Sequence, residues 1–187
     1  MNANIKKWLE KDGEQFLRKV GLEEGQSVLD FGCGEGHYTI PAAKIVGSKS
    51  NVYAFDKDKN ALSELEKTAK RFSLKNIELI NGDTKVSLED KSVDVVLCYD
   101  VVHYMKNRTL IYDEVRRVLK TEGSFFLYPK HHKDDYPLME LASLRLGAVI
   151  GEVEKSGFAL KDKLSIECLH DGYYNECFIL KFTWLDV

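Results

Sequence analysis

Ser27-Val28-Leu29-Asp30-Phe31-Gly32-Cys33-Gly34-Glu35-Gly36 is the stretch on which the reading of this chain turns. A short apolar run, Ser27–Phe31, ends directly in three glycines spaced G-x-G-x-G, and His37–Val46 can continue as a helix. Strand, glycine turn and helix open a βαβ unit. Glycines at such a turn permit a sharp bend and a close approach of backbone to ligand. The free N–H groups of the following helix favour an anionic or hydrogen-bond-accepting group.

Outward from the loop, the unit recurs without its glycines. Val52–Phe55 reads as a second strand and Asp56–Arg71 as a helix with Ala61, Leu62, Leu65 and Ala69 on one face. Ile77–Ile80 is a third strand stopped by Asn81-Gly82, and Val93–Cys98 is apolar enough to be buried on both faces. Arg108–Leu119 predicts a helix with Leu110, Ile111, Val115, Val118 and Leu119 facing in, followed by strand Ser124–Tyr128. Upstream, Ile5–Val20 is an amphipathic helix interrupted at Asp12-Gly13. Downstream, Leu138–Ser156 predicts a long helix. Leu164–Leu169 and Glu176–Phe182 are strands whose short connection, His170-Asp171-Gly172-Tyr173, requires an antiparallel hairpin. Strands alternating with helices indicate an α/β fold with an open, mostly parallel sheet covered on both sides.

Composition is consistent with one such domain over residues 1–187: 44% hydrophobic and 11% aromatic residues can supply a core. The net charge of −3 comes from interspersed charges, with no basic stripe of a nucleic-acid binder. The richest apolar stretch, Val93–Met105, is broken by Asp94, Asp100 and His103, so no membrane helix is expected. Met1–Gly13 lacks the apolar region of a secretory signal, and a cytoplasmic location is the default. Cys33, Cys98, Cys168 and Cys177 have no metal-ligand spacing. Cys168 and Cys177 flank the hairpin turn symmetrically and can face each other, but reduced thiols are the expectation for the cytosol.

Spacing separates two nucleotide-binding readings. A dinucleotide fingerprint is G-x-G-x-x-G, which this loop is not, and the Gly-Lys-Ser/Thr of a phosphate-binding P-loop is missing. Asp56, directly after the second strand, can accept both hydroxyls of a ribose. Its position 20 residues after Gly36 also suits NAD. Asp56 could equally serve as the N-cap of the helix it precedes.

Val28–Gly36 resembles the first motif of class I S-adenosylmethionine (SAM)-dependent methyltransferases, and more loosely the small-molecule branch that includes the quinone-biosynthesis enzymes. The resemblance covers essentially the whole chain. It implies a Rossmann-like three-layer sandwich whose seven-stranded, mostly parallel sheet ends in an antiparallel hairpin. It implies that Asp30, Gly32, Gly34 and Gly36 hold the methionine end of the cofactor, and that Asp83 reads the adenine amine. It also puts Cys98 and its backbone beside the cofactor. Against these stand a turn-capping role for Asp83 and a small buried hydrophobe for Cys98.

The acceptor side is less defined. Tyr99–Tyr104 follows strand four and should line the methyl-transfer region. His103 matches a family position often held by histidine, a general base or a structural contact. Tyr128–Tyr136, after strand five, can meet the acceptor or bind a metal through His131, His132 and a nearby aspartate. Pro129 and Lys130 stand where metal-dependent catechol-type enzymes place an acid, and a polar loop without metal is the expectation. No Asn/Asp-Pro-Pro-aromatic or Pro-Cys sequence follows strand four, which argues against nucleic-acid amino and cytosine C5 methylation. Cys33 and Cys98 are a thin match to the cysteines of arsenite methyltransferases. The expectation is a SAM-dependent methyltransferase acting on a small molecule, with closure of the site coming from the N-terminal helix (residues 1–20), a homodimer partner or a macromolecular acceptor. A SAM-binding regulatory protein without transferase activity and an NAD-dependent oxidoreductase are the alternatives.

Overall fold

A computed structural model describes residues 2–184. Its elements run α1 (Ala3–Lys7), a π-helical stretch (Trp8–Asp12), α2 (Gly13–Val20), β1 (Val28–Phe31), α3 (Thr39–Val46), β2 (Val52–Asp56), α4 (Lys59–Arg71) and β3 (Ile77–Asn81). They continue with β4 (Val93–Tyr99), a 3-10 turn (Val102–Tyr104), α5 (Thr109–Val118), β5 (Leu119–Tyr128), a second 3-10 turn (Met139–Leu141), α6 (Leu146–Lys155), β6 (Phe158–His170) and β7 (Tyr173–Trp184).

The seven strands form one sheet in the order β3-β2-β1-β4-β5-β7-β6. β1 to β5 are parallel, while β7 runs antiparallel to both β5 and β6. Alternation along the strands divides two apolar layers. Val28 packs with Trp8, Phe16, Ile40 and Leu65 under α2, α3 and α4. Leu29 and Phe31 pack with Ile111, Val115, Val149 and Val153 under α5 and α6. The three-layer sandwich expected from the resemblance is the observed one. Among the described residues, no helix is long and apolar enough to cross a membrane.

Four local expectations change. The N-terminal helix does not break at Asp12-Gly13: the π-helical stretch carries it through. Gly13 is there for packing, since a Cβ would meet Pro41 Cγ at 2.8 Å and Trp8 Nε1 at 2.9 Å. Leu110 is 49% exposed because the inward stripe of α5 is Ile111, Tyr112, Val115 and Val118, and Leu119 already belongs to β5. The long helix expected over Leu138–Ser156 is instead one 3-10 turn and α6. Tertiary hydrogen bonds explain the break: Lys133 N donates to Leu144 O and Leu138 N to His131 O, while Met139 takes φ +52°.

The fourth concerns the hairpin, which is longer than its sequence pattern suggested. His170 pairs with Tyr173, leaving Asp171-Gly172 as a two-residue turn with positive φ at both positions, the turn type that matches strand twist. Cys168 and Cys177 lie diagonally across it, fully buried, and are disulfide-bonded with Cα atoms 5.9 Å apart. That corrects the expectation of reduced thiols: the hairpin register brings the two Cα atoms within bonding range.

Candidate functional site

In an open α/β sheet the crevice forms at the carboxyl ends of the strands where their order reverses. Here that point lies between β1 and β4. The loop after β1 is held down by Gly32 N and Cys33 N, both donating to Phe55 O at the end of β2. Gly34 N donates to Asp56 Oδ2 and Asp58 N to Asp56 Oδ1, each at 2.8 Å. The N-cap of α4 is therefore not Asp56 but Asp58, whose side chain accepts from Asn60 N. Asp56 is left to brace the glycine loop.

Two clefts open beside this loop. The first, of about 360 Å³, is lined by Gly32, Gly34, Asp56, Asp83 and Asp100 with the apolar side chains of Phe31, Phe55, Val101, Met105 and Ile111. The second, of about 180 Å³, is lined by Asp30, Cys33, Tyr38, Tyr99, Tyr128 and His170 among others. Gly32, Gly34 and Asp100 border both. Gly34 has φ +53° and open space where a Cβ would stand, so its bare backbone faces the crevice. Gly36 borders neither cleft, and a Cβ there would overlap Leu65, which makes it the glycine that lets the loop pack on α4. Asp30 is 3% exposed and accepts from Thr39 Oγ1 at 2.6 Å. Burial pushes its carboxyl up to about 7, the Thr39 hydrogen bond opposing and the Asp56 charge adding.

The cysteines are inert. Cys98 lies fully buried in the apolar layer under α5 and its side chain borders neither cleft, Tyr99, Asp100 and Val101 being the residues there that do. Burial pushes the Cys33 and Cys98 thiols far above their ordinary range, so neither offers a thiolate. His103 is 1% exposed and borders neither cleft. It packs its ring against Tyr104 and His131, and burial lowers its pKa.

The polar wall of the second cleft comes from residues distant in sequence. His170 Nε2 lies 2.7 Å from Asp100 Oδ2, and His131 Nε2 lies 3.5 Å from Asp100 Oδ1. His132, the other histidine of that loop, is tied up locally, its Nδ1 accepting from Asp134 N. Tyr38 stands edge-on to Tyr99 at 4.7 Å and donates to Leu169 O, while the buried hydroxyls of Tyr99 and Tyr128 have no hydrogen-bond partner among the described residues. Sequence reasoning did not single out Asp100 as a candidate or assign His170 more than a turn position. No local signal marks either one, because the pair is 70 residues apart in the chain.

Fold, switch-point crevice and glycine loop define the class I SAM-dependent methyltransferase architecture. The chain belongs to the methyltransferase domain family, whose profile matches residues 22–165. A crystal structure of a SAM dependent methyltransferase from Aquifex aeolicus superposes with a TM-score of 0.78 at 25% identity, covering 96% of this chain and 93% of that one. A probable cobalt-precorrin-6B C(15)-methyltransferase (decarboxylating) of Sulfurisphaera tokodaii is 35% identical over 82 residues, 43% of this chain and 43% of that protein. The demethylmenaquinone methyltransferase of Staphylococcus aureus is 33% identical over 112 residues, 59% of this chain and 45% of that protein. The matched stretch thus spans less than half of these curated relatives.

Proposed function

We propose that this protein transfers a methyl group from SAM to a small, polar acceptor. The observation that carries the reading is the meeting of two clefts at Gly32, Gly34 and Asp100 on the β1–β4 switch point. The first cleft suits the nucleoside end of the cofactor. Asp56 would accept the ribose hydroxyls, Asp83 would meet the adenine amine, and Phe31, Phe55 and Ile111 supply apolar surface. Gly32, Gly34 and the buried Asp30 would hold the methionine end. Gly36 and Cys98 support this site from behind, through packing alone. When bound, SAM supplies an electrophilic methyl on a sulfonium, so the protein's task is largely alignment and exclusion of water.

The second cleft suits the acceptor. Tyr99 and Tyr128 are among its lining residues, beside the polar side chains of Asp30, Asp100 and His170. An acceptor with hydrogen-bonding groups would suit that polar lining. His103 lies behind this wall and would act by positioning Asp100, which its Nδ1 approaches to 3.3 Å, and not as the base itself. The N-terminal helix supports the enclosure: Asn2 and Asn4 both donate to Gly172 O at the hairpin turn beside His170. A cytoplasmic location belongs to the same reading.

Methyl-labelled SAM incubated with the protein and pools of small hydroxyl- and amine-bearing compounds tests it. The expected result is S-adenosylhomocysteine together with a labelled product. Tight SAM binding without turnover across all pools would instead favour a non-catalytic SAM-binding protein.

A further inference from the structure

Asp100, His131 and His170 reach one point from the end of β4, the loop after β5 and the end of β6, with ligand atoms all within 4.8 Å of one another. Their bonding asks for a cation. His131 Nδ1 lies 3.0 Å from the carbonyl oxygen of Tyr136. A carbonyl only accepts, so Nδ1 carries a hydrogen and Nε2 is the ring nitrogen turned toward the cluster. That nitrogen faces Asp100 Oδ1, which is buried and has no hydrogen-bond partner among the described residues, across 3.5 Å. The two atoms are not hydrogen-bonded to each other, and an ion between them would bond to both. Behind them, His103 is 1% exposed with neither ring nitrogen hydrogen-bonded, and its Nδ1 is 3.3 Å from the same Oδ1.

The geometry points to a site for one divalent first-row transition ion of the zinc type, held by Asp100, His131 and His170 at the edge of the acceptor cleft. Two imidazoles and a carboxylate are a donor set that such ions favour. Bonds of about 2.0–2.1 Å would bring neighbouring ligand atoms to roughly 3–3.5 Å, between the 2.7 Å of the His170–Asp100 hydrogen bond, which an ion would replace, and the 3.5 Å from His131 to Asp100. The Tyr136 carbonyl supplies the outer hydrogen bond that fixes a ligating histidine's tautomer. Asp100 and His170 line the second cleft, so an ion they held would be reachable from it. Given the methyl-transfer reading, an acceptor hydroxyl on the ion would lose its proton to water more readily. Its oxygen would then bond to the methyl carbon as the carbon–sulfur bond breaks, the electron pair leaving with sulfur.

The chelator-stripped full chain titrated with Co²⁺, followed by visible absorption, tests the site without SAM or acceptor, so its failure leaves the methyl-transfer reading standing. One equivalent per chain is expected, displaced by Zn²⁺. His131→Ala and His170→Ala should each weaken binding by at least about tenfold, while His132→Ala should leave it intact. Glutamine variants serve if alanine variants do not fold, with SAM affinity and thermal unfolding as the check. Absence of saturable binding to the wild-type chain, or binding indifferent to both His131 and His170, would overturn the proposal.

Discussion

The carboxylate of Asp56 accepts the backbone N–H of Gly34 at 2.8 Å, tying the end of β2 to the glycine loop after β1 across the mouth of the larger cleft. One acid thereby shapes the loop and, in the proposed reading, would also meet the ribose. Its two oxygens are both engaged, by Gly34 N and Asp58 N, and each retains a further lone pair for a hydroxyl.

Removing that carboxylate should therefore cost affinity more than fold. Asp56→Ala is expected to weaken SAM binding by roughly 1.5–3 kcal/mol, the range for hydrogen bonds to a charged group. Calorimetric titration measures it. An unchanged Kd in a folded variant would remove Asp56 from the site.

Gly34→Ala probes the loop from the other side. Its φ of +53° would cost an alanine about 1–2 kcal/mol of stability. The added methyl would project into the crevice, so a fall in SAM affinity beyond that stability loss is expected. Chemical denaturation and calorimetry on the same variant separate the two.

Asp30 should make stability depend on pH. Its folded carboxyl is pushed up to about 7 by burial, whereas an unfolded aspartate titrates near about 3.9. The folded state therefore binds the proton more tightly. The stabilisation is fully present below about pH 4 and is lost as pH rises through about 7. Unfolding free energy should fall across that window, and Asp30→Asn, which keeps the Thr39 partner, should flatten the profile. An identical slope in the variant would contradict the assignment.

Trp8 anchors the N-terminal helix. It is 1% exposed, packs on Phe16, Tyr38 and Tyr174, and donates Nε1–H to His37 O at 2.8 Å. Trp8→Ala should cost about 3–5 kcal/mol in denaturant unfolding. A loss under about 1 kcal/mol would mean that the helix is not docked as seen.

The Cys168–Cys177 bond closes a short loop, with a sequence separation of 9. Chain-entropy reasoning assigns such a crosslink roughly 2–3 kcal/mol. A reductant should lower Tm in the wild type and not in Cys168→Ser/Cys177→Ser, whose Tm should match that of the reduced wild type.

The sequence by itself determined the alternation of strands and helices, the glycine loop and the acids Asp56 and Asp83 at strand ends. These are local signals: apolar periodicity, turn chemistry and spacing along a few dozen residues. It also carried the family resemblance, which rests on contiguous motif residues from Val28 to Gly36. Tertiary structure decided what depends on distant segments meeting. Asp58 rather than Asp56 caps α4 because Asp56 is drawn to Gly34. The helix expected from Leu138 breaks because Lys133 and His131 take backbone partners in it. Asp100, His131 and His170 form a cluster only because the sheet order places the ends of β4, β5 and β6 near one another. No pattern along the chain encodes that proximity; the folded sheet creates it.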